Sequence, residues 1–341
     1  TSIGGWQGVS GFLGYDEPNL FGQAKAGHLR WEYGRFVNNF EASYEDPAIN
    51  GSRISGTASV FRTHPRLFRL PGGSYLRTGT SLRFGLPLPV DPYTQFTVGY
   101  SFSRTEYETS PGTDENQSVF NLPPGDLSTV SFGLRRSTLD HPLFPTQGTR
   151  QRLLADLSGG VFGGQGDFQK YTVEGNWWVP VGEVGGSAPD SRPMRFALGL
   201  SVDAGAIFGE RASLDRFPFE RFFMGGVQFG EPLRGYGETE ITPEGYVPEG
   251  GSIANRLGDA YLRLSAEYAI RFTDNLSASL FYDAGNVWRS PSQVNPTELF
   301  RGAGFGLMLV TPFGPLGLDL GYGFDRDEPG WELHFKFGQA F

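Results

Sequence analysis

Hydrophobic and polar residues alternate one by one along most of this chain, and few folds accommodate such a pattern. Between Leu262 and Ile270, apolar residues occupy every second position, and Arg263, Ser265 and Glu267 lie between them. Successive side chains of a β-strand point to opposite sides, so the segment predicts a strand with one apolar and one polar face. The same period recurs at 278–283, 303–309, 316–323 and 332–337. The sequence therefore predicts an all-β protein.

The environment of these strands follows from their polar face. No stretch of the chain approaches the about 18 consecutive apolar residues of a membrane-spanning helix. A barrel in lipid needs an apolar side chain only at every second position and tolerates a polar interior. A soluble all-β protein with an aromatic core is the weaker alternative, because it would turn the apolar face inward. Fifty glycines and 15% aromatic residues also favour β structure over a helical or doubly wound enzyme.

Fifteen strands can be assigned from the alternation and from the turn residues between its segments. They span residues 5–16, 23–33, 36–46, 52–63, 75–86, 94–107, 127–137, 148–159, 167–179, 194–206, 258–271, 276–288, 301–311, 315–325 and 331–341. Closed single-chain bacterial barrels have an even number of strands, so a sixteenth is expected, and Thr1 to Gly4 is the candidate for a truncated first strand. The predicted fold is a 16-stranded antiparallel transmembrane β-barrel.

Short and long connections alternate between these strands. Short ones lie at 87–92, 141–148, 272–275 and 311–314, and long ones at 63–74, 108–126, 288–300 and 207–257. In outer-membrane barrels the short turns face the periplasm and the long loops face outward. The connection at 207–257 has about fifty residues, too many for a structureless loop in a compact protein, so we expect it to fold into the barrel.

Aromatic residues cluster near predicted strand ends. They occur in pairs at 31 and 33, at 177 and 178, at 222 and 223 and at 282 and 288, and again from 335 to 341. Aromatic side chains are enriched at the two membrane–water interfaces of outer-membrane barrels. These pairs are therefore expected to belong to interfacial girdles.

The long loop contains an arginine that is followed by two nearby glycines. This motif consists of Leu233, Arg234, Gly235, Tyr236 and Gly237. The glycine after Arg234 permits a tight backbone turn that would place the guanidinium at the tip of the loop. A buried arginine needs carboxylate partners, and Glu267 and Asp283 lie on the polar faces of two downstream strands. If the loop folds into the barrel, we expect Arg234 to brace against both.

Several segments together resemble the BamA-type outer-membrane insertase superfamily. They are Phe-Pro-Thr-Gln-Gly-Thr-Arg at 144–150, Phe-Phe-Met-Gly-Gly at 222–226 with Leu-Arg-Gly-Tyr at 233–236, Ser-Ala-Glu-Tyr at 265–268, Phe-Tyr-Asp-Ala-Gly-Asn-Val-Trp at 281–288, Thr-Pro-Phe-Gly-Pro-Leu at 311–316 and the final strand. Leu233 departs from the valine usual in the family's loop signature. The resemblance implies a sixteen-stranded barrel in which Arg234 contacts Glu267 and Asp283.

The resemblance also implies a function in the assembly of other membrane proteins. Relatives fold and insert β-barrel precursors through a lateral gate between the first and last strands. Carried onto this chain, the gate residues of the last strand are Leu333, Phe335, Phe337, Gly338 and Phe341. Glycine at position 338 would allow that strand to bend away from the first.

Location and partners follow from the same resemblance. We expect an integral protein of the outer membrane of a diderm bacterium, with residues 1–341 forming the barrel and the periplasmic POTRA repeats of relatives absent from this chain. The implied partners are unfolded barrel precursors and outer-membrane lipids. Accessory lipoproteins and periplasmic chaperones would bind through the missing repeats.

Other functions remain as alternatives. A translocation and assembly subunit for autotransporters and a two-partner secretion exporter belong to the same superfamily, whereas a passive porin is a different class. The formal charge of -9 argues against nucleic acid. No cofactor, metal site or enzymatic activity is expected, because the four histidines, at 28, 64, 141 and 334, lack ligand spacing. Glu267 and Asp283 resemble an ion pair with Arg234 more than the two carboxyls of a glycosidase.

Overall fold

The computed structural model of the chain describes residues 2–4, 8–34, 38–64, 73–109, 120–186, 193–248, 253–311 and 314–337. Most of these residues form strands, as the alternation predicts. The strands are β1 Ser2–Gly4, β2 Gly8–Leu20, β3 Lys25–Gly34, β4 Asn38–Asp46, β5 Ser55–Thr63, β6 Gly73–Pro87, β7 Thr94–Thr109, β8 Gly125–Ser137, β9 Gly148–Ser158, β10 Phe168–Val184, β11 Met194–Gly209, β12 Ile241–Thr242, β13 Gly245–Tyr246, β14 Ala260–Arg271, β15 Leu276–Trp288, β16 Phe300–Thr311, β17 Gly314–Gly323 and β18 Gly330–Phe337.

One large antiparallel sheet organises the molecule. Sixteen of the strands in the described residues pair in chain order from β1 to β18, and only β12 and β13 stand apart as a small hairpin. This arrangement confirms the predicted class, a transmembrane β-barrel whose wall is a continuous meander. The predicted strand at 5–16 corresponds to β2, and the expected additional strand is β1, which pairs with residues 8–10 of β2.

The two faces of the sheet have opposite chemistry. Large apolar side chains such as Leu280, Phe305 and Leu333 are half or more exposed on the outer face. Their neighbours in the chain, among them Asp283 and His334, are buried on the inner face. Since an exposed apolar band is favourable only in lipid, the outer face is the membrane-facing one.

The described connections separate into two ends of the barrel. Neighbouring strands are antiparallel, so successive connections leave from opposite ends of the sheet. The long connections from β11 to β14 and from β15 to β16 leave from the same end of the sheet, whereas the residues predicted for the other two long loops lie largely outside the described ranges. The short turns at 88–93, 138–147 and 272–275 lie at the other end, as the sequence predicts.

The long loop, residues 210–259, supplies most of the apolar core. It begins with the helix α1 Arg211–Arg216 and contains the β12–β13 hairpin in its second half. No helix in the described part of the chain is long and apolar enough to cross a membrane. The buried apolar cluster contains Leu127, Phe168, Ile207, Leu214, Phe217, Phe222, Met224, Leu233, Tyr236, Ile241, Tyr261 and Val287. The core therefore lies between the loop and the inner wall.

The structure corrects part of the girdle prediction, since Trp178 lines the barrel interior and Trp288 is buried. Phe222 was expected in an interfacial girdle, but it is buried and packs edge-on against Tyr261 with 4.7 Å between ring centroids. Trp31 and Tyr33, in contrast, are exposed on the outer face. Position near a strand end does not distinguish an aromatic residue at the membrane surface from one that anchors a loop, because both sites favour a side chain with a large apolar surface.

Candidate functional site: the inward loop and its strand partners

The base of the long loop is closed by hydrogen bonds between its two ends. The backbone N–H of Phe222 donates to the carbonyl of Gly258 at 2.9 Å, and the reverse bond is 2.8 Å. The buried side chain of Arg221 donates to Asp259 at 2.5 Å and to the carbonyl of Leu257 at 3.0 Å. The two ends of the loop are thus held together where the loop leaves the barrel wall.

Two glutamates shape the interior of the loop. The carboxylate of Glu238 accepts hydrogen bonds from the backbone N–H groups of Val227, Gln228 and Phe229 at 2.9 to 3.1 Å. Glu240 accepts from the N–H of Gly237 at 2.6 Å. Buried backbone donors without partners are costly, so these carboxylates stabilise the turns on both sides of the arginine motif. Neither glutamate was recognised from the sequence, because acidic residues in a loop usually face solvent.

Arg234 lies at the loop tip, residues 233–237, and contacts the two carboxylates named from the sequence. Its guanidinium donates twice to Asp283, from Nε at 2.6 Å and from Nη2 at 2.8 Å. It also donates to Glu267 at 3.3 Å and to the hydroxyl of Ser265 at 3.3 Å. This two-pronged contact matches the planar fork of arginine to a carboxylate.

The charge of Arg234 is fixed by these neighbours. Burial opposes the cation, but Asp283 and Glu267 outweigh it and raise the pKa of the guanidinium above its ordinary value. The ring of Phe281 lies 3.5 Å from the guanidinium carbon, so the cation also stacks on an aromatic face. Phe281 was not recognised from the sequence, although it occupies the inward row of β15 between Ser279 and Asp283.

A groove of glycines receives the loop tip. A Cβ atom on Gly302 would lie 2.0 Å from the carbonyl oxygen of Arg234, and one on Gly321 would lie 2.5 Å from the backbone nitrogen of Gly235. Gly235 itself has a φ of +95°, which favours glycine. Glycine is therefore needed in this inward row because the loop tip comes close to the strand backbone.

The other motif residues fill the space around Arg234. Leu233 and Tyr236 are completely buried. The Tyr236 hydroxyl donates to the carbonyl of Arg301 at 2.8 Å and accepts from the N–H of Asp325 at 3.2 Å. Burial raises the pKa of this hydroxyl to about 12. All five residues of the motif therefore pack against the wall or shape the tip.

Two of the residues predicted for the gate have described side chains, and both lie on the outer face. Leu333 and Phe335 project outward and are exposed. Phe337 ends β18, and its side chain, like Gly338 and Phe341, lies outside the described residues. The inward positions between them, His334 and Lys336, were not singled out from the sequence as partners of the loop.

Below the loop tip the barrel interior retains a cavity of about 690 Å³. Charged side chains of both signs line it, including Arg150, Lys170, Asp203, Glu231 and Arg263. Its floor is the turn at 138–147, whose buried Phe144 accepts a hydrogen bond from Arg271 at its carbonyl, at 3.4 Å. In the described part of the chain, no group of three or more acidic or histidine residues is placed to hold a metal ion.

The arrangement as a whole is a barrel plugged by one of its own loops, and comparison with known proteins assigns it to a family. Residues 19–341 match the Omp85 superfamily domain. The chain belongs to the Omp85 superfamily. This assignment agrees with the resemblance inferred from the sequence motifs.

Two relatives of this chain are both named outer membrane protein assembly factor BamA. The protein from Nitratidesulfovibrio vulgaris is 29% identical over 345 aligned positions, which cover 98% of this chain and 40% of the relative. The protein from Neisseria meningitidis serogroup B is 24% identical over 311 positions, covering 83% of this chain and 36% of the relative. The chain therefore spans well under half the length of these relatives.

Two solved structures share the fold. BamA from Haemophilus ducreyi lacking POTRA domains 1–3 superposes with a TM-score of 0.74 at 17% identity, covering 97% of this chain and 67% of that one. CdiB from Acinetobacter baumannii superposes with a TM-score of 0.56 at 12% identity, covering 96% and 55%. At these identities the likeness concerns the fold alone.

Proposed function

We propose that this chain is the barrel of an outer-membrane assembly factor that folds and inserts β-barrel precursors at the seam between β1 and β18. The proposal is supported by the match of nearly the whole sheet to proteins described as outer membrane protein assembly factor BamA. In the described residues β1 and β18 are the two ends of the meander, so the seam is where the first and last strands of the chain meet. We propose that it is the place where the wall opens.

An incompletely paired strand edge is a template for another strand. Soluble proteins suppress such edges because they recruit other chains. In lipid the recruitment is useful, since every unpaired backbone N–H or C=O costs several kcal/mol in hydrocarbon. A precursor whose strand adds to the β1 edge would have its hydrogen bonds satisfied as it leaves water. Folding of the precursor would supply the free energy.

The inward loop would keep the barrel interior closed while a precursor is inserted at the seam. Arg234 is braced by Asp283 and Glu267, and we propose that this lock keeps the loop docked when the first strands move. Buried ion pairs of this kind strongly resist loss of one partner, because the other charge is left uncompensated. The lock thus has a structural role rather than one in bond chemistry.

The proposed location and partners follow from the relatives' description. We place the protein in the outer membrane of a diderm bacterium, with unfolded barrel precursors as substrates and outer-membrane lipids as surroundings. Accessory lipoproteins and periplasmic chaperones would act through periplasmic domains such as the POTRA repeats of relatives.

Locking the seam tests the proposal. The chain has no native cysteine, so one cysteine can be introduced in β1 and one at Leu333 without background. The matched control joins Leu318 to Phe335, which face each other across β17 and β18 inside the sheet. Crosslinking the first pair should stop insertion of a precursor into liposomes and should stop growth of a cell that depends on this protein. The control crosslink should leave both unchanged. Full insertion by the locked barrel would contradict the proposal.

A passive porin is the competing class. The long loop fills the upper interior, and the turn containing Phe144 closes the lower end of the cavity. In planar bilayers we expect small, irregular conductance. A large, steady conductance from the intact chain would favour the porin, and secretion of a soluble partner without barrel insertion would favour the exporter.

A further inference from the structure

The tip of the long loop contacts the last strand as well as Asp283 and Glu267. The backbone N–H of Gly235 donates to Nε2 of His334 at 3.0 Å. His334 is only 5% exposed, so the contact is shielded from water. Water therefore cannot replace the imidazole as the acceptor for the Gly235 N–H. Because Nε2 accepts, the imidazole carries its proton on Nδ1. A second contact runs from the side-chain amide of Gln228 to the carbonyl of Phe335 at 3.3 Å.

A shared carboxylate links the same two elements. Asp319 on β17 lies 2.5 Å from the ammonium of Lys336 on β18 and 3.8 Å from the guanidinium of Arg234. Asp319 and His334 are directly opposite each other in the β17–β18 register. One buried anion is therefore held between a cation of the loop and a cation of the last strand.

These contacts exceed what the loop needs to stay docked. Arg234 already has a two-pronged contact with Asp283 and a further one with Glu267. The apolar core and the glycine groove fix the position of the tip independently. What His334 and Lys336 add is an attachment of the loop to β18, the strand that borders the seam.

On the opposite side of the seam, the described side chains, which begin at Leu13 of β2, show no such attachment. In β2–β5 none of the described side chains is buried, and the first buried residue along the described chain is Ser74. His28 on β3 occupies the inward row, yet it pairs with Asp16 of β2 at 2.7 Å rather than with the loop. Among the described side chains, the loop therefore holds the β18 border of the seam and buries none on the β2–β5 side, which is called the uncovered side below.

We propose that His334 and Lys336 are positioning residues that couple the loop tip to the last strand. Through them the docked loop keeps β18 paired with β17, so that the border of the seam away from β1 stays ordered while a precursor is accepted. The role during precursor insertion rests on the proposed function. The coupling between the loop tip and β18 is a property of the folded chain and can be tested without it.

Hydrogen exchange tests the coupling without reference to activity. His334→Leu leaves the buried Gly235 donor unpaired, and we expect exchange of the β18 amides to rise about tenfold, as the loss of one buried hydrogen bond implies. Amides of the loop core at 222–226 should keep their protection, because Arg234 retains Asp283. His334→Gln supplies a carbonyl acceptor and should restore slow exchange. Lys336→Met should give a smaller rise confined to β18.

The matched control is His28→Leu, the same substitution on the uncovered side of the seam. It should leave β18 exchange at the wild-type rate. Unchanged β18 exchange in His334→Leu would overturn the coupling, and so would an equal rise in the loop core, because the residue would then act on the loop as a whole. Faster β18 exchange together with normal precursor insertion would leave the coupling intact and count against the proposed role of the seam.

Discussion

The two sides of the seam are built from the same alternating pattern and yet differ in what covers them. On β2–β5 the inward row carries polar side chains such as Asp16, His28 and Arg30, and none of the described ones is buried. On β14–β18 the inward row carries glycine and paired charges, and the long loop lies directly on it. The difference teaches that the strand pattern builds the wall, whereas small residues and carboxylates decide which part of the wall the loop stabilises.

Removal of the central arginine should produce the largest effect. Arg234→Ala leaves Asp283 buried without its partner, and we expect loop docking to weaken by about 3–5 kcal/mol. The heat-modifiable mobility of the barrel on gels should shift to a lower temperature. The control is Arg30→Ala on β3, whose ion pair with Glu32 is exposed. Equal shifts in the two variants would remove the distinction between the two sides.

Filling the glycine groove should have the next largest effect. Gly302→Ala places a Cβ against the carbonyl of Arg234, with no flexible side chain to move, and should cost about 1–3 kcal/mol of docking stability. Gly14→Ala on β2 is the matched control, because nothing lies within 4 Å of its added Cβ. Gel mobility or urea sensitivity of the loop measures both. A Gly302→Ala protein as stable as Gly14→Ala would show that the groove does not confine the tip.

The loop should also respond to pH through Glu231. Burial raises the pKa of this carboxyl to about 7, and the nearby Arg263 offsets it only in part. At pH values between the ordinary pKa of a glutamate carboxyl and about 7, Glu231 is therefore more fully protonated in the docked loop than in the undocked loop. Docking should therefore weaken as the pH rises through that window. Glu231→Gln should flatten the wild-type pH dependence of gel mobility. An identical pH profile in both proteins would contradict the assignment.

The smallest effect is expected on the uncovered side. His28 and Asp16 form an exposed pair at 2.7 Å. Exposed ion pairs contribute about 0–1 kcal/mol, so Asp16→Asn should leave unfolding of the barrel close to wild type. A large destabilisation there would mean that the β2–β3 wall carries more of the stability than its exposure indicates.

The sequence predicts the wall better than it predicts the site. Period-two alternation depends on local geometry, so strand bounds differ from the expected ones by only a few residues at most positions. Contacts of Arg234 with Glu267 and Asp283 were expected because inward carboxylates are few and the family resemblance names their places.

Other parts of the site depend on where the loop tip lies, which no periodicity reveals. Asp319, His334 and Lys336 are inward by pattern, but many inward residues never meet the loop. Phe222 was misplaced because an aromatic residue near a strand end is equally compatible with a girdle and with a loop anchor. Glu238 and Glu240 bind backbone groups, and that use leaves no spacing signature.

Capture of a precursor at the seam tests the central claim most directly. A single cysteine in β1 should form a disulfide with a cysteine in the last strand of a precursor arrested during insertion, and adducts should alternate along the strand with the side-chain period. A cysteine at Leu153 of β9, which is exposed on the outer face far along the sheet, should form none. Adducts at β9 as frequent as at β1, or insertion without any adduct at β1, would contradict the claim that the first-strand edge receives the precursor.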